Sequence, residues 1–69
     1  MSPMSMTARR RAVADLVAEG CTDKEIAIRL GISYSAARGC VRDVRMLLDA
    51  ETRTEAAVKW DRLRREAVA

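Results

Sequence analysis

Histidine and phenylalanine are absent from this chain, and its aromatic side chains are confined to Tyr34 and Trp60. Without histidine it lacks the usual general base at neutral pH and the commonest metal ligand. No carboxylate pair sits in an apolar setting that would tune it for acid–base work. The sequence is therefore read as a non-enzyme, with no cofactor and no metal. The two cysteines, Cys21 and Cys40, lie nineteen residues apart and form no C-x-x-C pair. They are expected to be reduced thiols, with Cys40 acting as a small apolar side chain. No apolar run approaches the roughly 18–20 residues that a membrane span needs. The opening MSPMSMTARRR has no apolar stretch ahead of its cations, unlike a secretory signal. The expectation is a cytoplasmic protein with no membrane partner.

What is present is the composition of a folded domain: 49% hydrophobic and 33% charged, with one Pro and three Gly. At 69 residues there is room for one domain with a marginal core and none for a deep, lidded cleft. The apolar residues are mainly Ala, Val, Leu and Ile, which favours small helices packed closely. The net charge of +3 is unevenly spread, with +3 over residues 1–11, −2 over 12–31, +2 over 32–48 and zero over 49–69. Two basic segments around an acidic one suggest a polyanion footprint on one face.

Four helices and no strands are expected, because alternation of apolar and polar residues never persists. Residues 1–6 are read as a flexible N-terminal tail and residues 7–69 as a single helical domain. The first helix runs from near Thr7 to just before Gly20, with Val13, Leu16 and Val17 on one stripe. Gly20 suits the left-handed position that stops a helix. Thr22-Asp23-Lys24-Glu25 is a capping box that opens the second helix, whose inward residues are Ile26, Ala27 and Leu30. Gly31 ends it, Ile32 points inward and Ser33 caps the third helix. There Ala37, Val41, Val44 and Leu48 recur at helical spacing, broadened by Cys40 and Leu47. The opposite face shows Tyr34, Ser35, Arg38, Gly39, Arg42 and Arg45. Thr52-Arg53-Thr54-Glu55 reads as a second capping box, opening a fourth helix with Ala56, Ala57, Trp60 and Leu63 on one side.

Two short helices joined by Gly31-Ile32-Ser33 make a helix-turn-helix pattern. Ala27 is small where the helices cross, and Ala37 and Val41 draw the third helix onto the first. One face of the third helix is then left to enter a major groove.

The stretches VADLVAEGCTDKEIAIRLGIS and TRTEAAV resemble the LuxR-type helix-turn-helix domain, the DNA-binding module of many bacterial response and quorum-sensing regulators. The resemblance runs from Met6 to Leu63. It implies a four-helix domain whose third helix reads the major groove and whose fourth mediates dimerisation. The basic residue that the family carries in mid-helix corresponds to Arg38, and the positions just before it to Tyr34 and Ser35. Several positions depart from the family pattern. Arg10 stands where Glu is usual, Asp23 where Asn is frequent, and Asp49 where Gly follows the third helix. Ala37 replaces Val, and Gly39 and Cys40 replace bulkier polar residues. Arg10 forgoes a capping box with Thr7 and puts a cation at the positive end of a helix dipole, so Arg10→Glu is expected to stabilise.

The resulting expectation is a stand-alone transcriptional regulator of bacterial or phage origin, binding double-stranded DNA as a homodimer on an inverted repeat. Arg38 and Arg42 would reach base edges or phosphates, with Tyr34, Ser35 and Gly39 at the groove. Lys24 and Ser33 would hold phosphates near helix N-termini, and Arg45 and Arg9–Arg11 would add non-specific attraction. Ala56, Ala57, Trp60 and Leu63 would form the dimer interface, unless Trp60 packs back on the first helix. The alternative is a protein-interaction module on the same scaffold, binding RNA polymerase or another regulator. The exposed-looking Ile28, Trp60 and the atypical third helix favour it.

Overall fold

A computed structural model describes residues 5–68, and among these it contains α-helices and no strand. The helices are α1 (Ala8–Ala18), α2 (Asp23–Leu30), α3 (Tyr34–Leu47) and α4 (Arg53–Val68). The all-α class and the count of four agree with the sequence reading. Of the tail expected over residues 1–6, the first four lie outside the described residues, as does Ala69. No described helix is long and apolar enough to cross a membrane.

The same corner is built three times. Gly20, Gly31 and Asp49 each take a left-handed backbone conformation, with φ of 87°, 64° and 52°. The next residue in each case sends its N–H back five positions: Cys21 to Leu16, Ile32 to Ala27, and Ala50 to Arg45, at 3.0, 3.0 and 2.8 Å. This is the Schellman closure, which satisfies carbonyls that a helix end leaves orphaned. The side chain after each left-handed residue turns inward: Cys21 and Ala50 are buried, and Ile32 packs against the core. Asp49 does at some cost what a glycine does freely, since Asp tolerates the left-handed region better than most residues but still carries a Cβ.

A hydroxyl then starts each helix. Thr7, Thr22, Ser33 and Thr52 accept the N–H of Arg10, Glu25, Ala36 and Glu55 at 3.2, 3.2, 3.0 and 3.1 Å. At Thr22 the box is complete, because the Glu25 carboxylate accepts the Thr22 N–H at 2.8 Å. The Thr22 backbone N–H, with the Thr22 hydroxyl beside it, holds the Glu25 carboxyl below its ordinary value. The box is thus formed at neutral pH and is lost as pH falls through that lowered value. At Thr52 only half of the expected box forms. The Glu55 carboxylate reaches instead to the Glu51 N–H at 3.3 Å and pairs with Lys59 at 3.4 Å.

α1 packs against α3 and α4, and α3 also carries α2. Val13, Ile26 and Val44 are the largest side chains shut wholly from solvent, each worth about 1.5–3 kcal/mol of transfer free energy. Ala14, Ala27, Ala37 and Ala56 fill the crossings, where their small volume lets the helices approach. Cys21 is the more buried thiol and Cys40 is half-buried against the core; both are free.

Trp60 settles on this core rather than projecting outward. Its indole N–H donates to Asp15 Oδ1 at 2.8 Å, and Arg64 donates to the same oxygen at 3.2 Å, tying α4 to α1. Arg10 likewise has a partner the sequence reading missed. Its guanidinium donates to the Ser5 carbonyl at 2.7 Å and pairs with Asp43 of α3 at 3.3 Å. The cation tolerated at the start of α1 is thus a tie between α1 and α3, and the expected gain from Arg10→Glu reverses. A carboxylate there faces Asp43 across a pair that is three-quarters buried on both sides. Arg10→Glu is predicted to lose about 1 kcal/mol, which for a domain of this size lowers Tm by about 4–8 °C. An unchanged or higher melting temperature by circular dichroism would show that the tie contributes nothing.

Candidate nucleic-acid interface

α3 divides cleanly between two faces. Ala37, Val41 and Val44 are buried, while Tyr34, Ser35, Arg38 and Arg42 are exposed on the other side. Ser33 holds the start of this helix, and Ile32 beside it anchors the turn from α2. The exposed face is therefore presented from a rigid element.

Along that face Arg38 lies over the Tyr34 ring, with its guanidinium carbon 5.8 Å from the ring centroid. This is the i,i+4 neighbour relation of a helix surface, and stacking at an exposed site is worth about 0.5–1 kcal/mol. Arg42 is loosely engaged: its side chain is 72% exposed and its Nε is 4.0 Å from Asp43 Oδ1. Asp43 itself is already engaged by Arg10. A cation with so little compensation is available to an external anion.

Beside the face runs an open concavity lined by Tyr34, Ser35, Arg38, Gly39, Arg42 and Arg45 of α3, together with Asp23 and Arg53. Six of the eight residues expected to touch DNA are thus brought together. Lys24 and Ser33 do not line it. Lys24 is exposed on α2, and the Ser33 hydroxyl accepts the Ala36 N–H. Arg45 is half-buried rather than splayed into solvent, with its guanidinium donating to the Glu51 carbonyl. Arg53 was not singled out from the sequence. It pairs with Asp23 and donates to the Cys21 carbonyl, joining the start of α4 to the start of α2. A signal for it existed: like Arg10, it is a cation in the first turn of a helix, where the dipole disfavours it and a partner elsewhere is required.

The residues expected at a dimer interface are placed differently. Ala56 is 1% exposed within the chain's own core, and Ala57 and Trp60 pack partly buried against it. Their apolar side is taken by α1, because a core this small leaves no apolar face of α4 to spare near its start. Leu63 alone of the four stays open, at 48% exposure, and it adjoins the half-buried Leu47 and Leu48. Ile28 is exposed, as the sequence suggested, at 71%.

Gly39 has no packing reason to be glycine, since a Cβ built there meets nothing within 4 Å. A mid-helix glycine is less stable than alanine by about 0.5–1 kcal/mol. Gly39→Ala is predicted to raise stability by that amount in urea denaturation. If the concavity admits a close backbone approach, the same variant binds duplex DNA more weakly. Equal affinity with higher stability would remove Gly39 from the interface. In comparisons with known proteins the chain matches no family model, no curated protein and no solved structure.

Proposed function

We propose that this chain is a LuxR-type helix-turn-helix transcriptional regulator that places α3 in the major groove of DNA. The observation that carries the reading is the exposed, arginine-bearing face of a helix whose other face is fixed in the core. In this reading Arg38, which lies over the Tyr34 ring, offers its guanidinium fork to guanine O6 and N7. Arg42 reaches a neighbouring base edge or phosphate, and Ser35 and Gly39 allow the helix to approach closely. Lys24 at the start of α2, with Arg9 and Arg11, supplies attraction that does not depend on sequence, while Arg10 is held by Asp43.

A second copy completes the proposal, because a two-fold dimer sets two such helices about 34 Å apart on an inverted repeat. The surface available to it is Leu63 with Leu47 and Leu48. The alternative reading, a module that docks on RNA polymerase or another regulator, is favoured by the exposure of Ile28. Salt separates the two. DNA binding through phosphates weakens with a slope of about −0.9 in log K against log salt for each phosphate neutralised, whereas a protein adaptor has little duplex affinity at any salt.

Arg38→Ala is predicted to weaken specific duplex binding by about 1–3 kcal/mol with almost no change in stability. Unchanged affinity in the folded variant would overturn its role. Leu63→Glu is predicted to shift the protein toward monomer in sedimentation at about tens of micromolar. It should also weaken binding to a two-half-site duplex much more than to one half-site. A wild-type monomer under those conditions would remove the dimer.

A further inference from the structure

Four of the chain's thirteen cations line one concavity, while Arg9, Arg10 and Arg11 form a separate basic run. The concavity beside α3 is lined by Arg38, Arg42, Arg45, Arg53 and Asp23, whose formal charges sum to +3, and of the four cations Arg53 pairs with Asp23. That sum equals the net charge of the whole chain, so everything outside the concavity sums to zero.

Two of the four guanidiniums are held by main-chain carbonyls, Arg45 by Glu51 and Arg53 by Cys21. A carbonyl positions a guanidinium without cancelling its charge. The Nε of Arg45 is shut away from solvent and has no acceptor. A donor in that condition is costly, and the cost is relieved when the side chain finds an oxyanion. Arg53 already has one, the Asp23 carboxylate, placed at the first residue of α2. Asp23 stands where an incoming anion would stand.

We propose that this concavity is a seat for a phosphate-type oxyanion, with Asp23 as the internal anion that competes for it. Phosphate takes an N–H of Arg53 from Asp23. It draws Arg45 off the Glu51 carbonyl so that its fork, Nε included, gains acceptors. Arg42, an exposed side chain, closes over the outer side. Guanidinium suits this better than ammonium because its planar fork makes two parallel bonds to one anion. The inference rests on the DNA-binding reading only for the duplex as the source of the phosphate; a free polyphosphate carries the same chemistry.

The experiment follows the arginine Nε–Hε signals of the full chain by NMR during titration with tripolyphosphate and, separately, with a short duplex. The Arg45 and Arg53 signals are expected to move saturably, while those of Arg62 and Arg65 on the far part of α4 do not. Arg45→Lys keeps the charge but loses the fork, and is expected to bind tripolyphosphate about tenfold more weakly. Asp23→Asn keeps an acceptor for Arg53 but removes the competing charge, and is expected to bind about three- to tenfold more tightly. The proposal is overturned if all arginine signals drift together without saturation, or if both variants match the wild type. Saturation by tripolyphosphate with no duplex binding upholds the seat and defeats the DNA-binding reading. Duplex binding that leaves the Arg45 signal unmoved defeats the seat and upholds the DNA-binding reading.

Discussion

The left-handed corner between helices is the constraint on which this fold depends. At each of three corners a residue with positive φ ends one helix, an inward-turning side chain follows, and a hydroxyl opens the next helix. Each corner satisfies orphaned carbonyls on one side and orphaned N–H groups on the other. It also fixes the angle at which the next helix leaves, because the inward side chain must reach the core. In a chain with no phenylalanine and a core made largely of Ala and Val, side-chain bulk cannot dictate helix directions. The corners do so, and small residues at the crossings then let the helices close.

Long-range polar ties reinforce this frame and shape the surface at the same time. Arg10 with Asp43, Arg53 with Asp23, and Trp60 and Arg64 with Asp15 each connect helices distant in sequence. Asp43 and Asp23, the carboxylates beside the arginines of α3, are thereby engaged by Arg10 and Arg53. Arg38 and Arg42 remain outward with little to neutralise them. The ties that stabilise the fold and the bareness of the basic face are two results of the same pairing choices.

Much of the frame was legible in the sequence, because its signals are local. Gly20 and Gly31 as helix stops, Thr22 and Ser33 as caps, and the stripe Ala37, Val41 and Val44 are all readable from residue type and spacing. The exposed face of α3 follows from the same periodicity. What was not legible is tertiary. No local rule says that Arg10 meets Asp43, or that Arg53 reaches Cys21 and Asp23 thirty residues earlier. Trp60 and Ala56 read as an apolar stripe on α4 that either a second copy or the first helix could cover, and the first helix covers it. Periodicity tells that a face is buried, and not whether the same chain or another copy buries it. Asp49 shows the reverse case, a left-handed corner built on a residue other than glycine, which residue type alone does not mark.

The central claim is that α3 reads base sequence through the arginine face that these corners and ties leave open. Selection of bound duplexes from a random pool, at about 0.15 M salt where non-specific attraction is screened, tests it most directly. The account predicts enrichment of one short motif containing guanine at the Arg38 contact. Two inverted copies of that motif should lie one helical turn apart. A recovered pool without sequence bias, or no retained duplex at all, would contradict it.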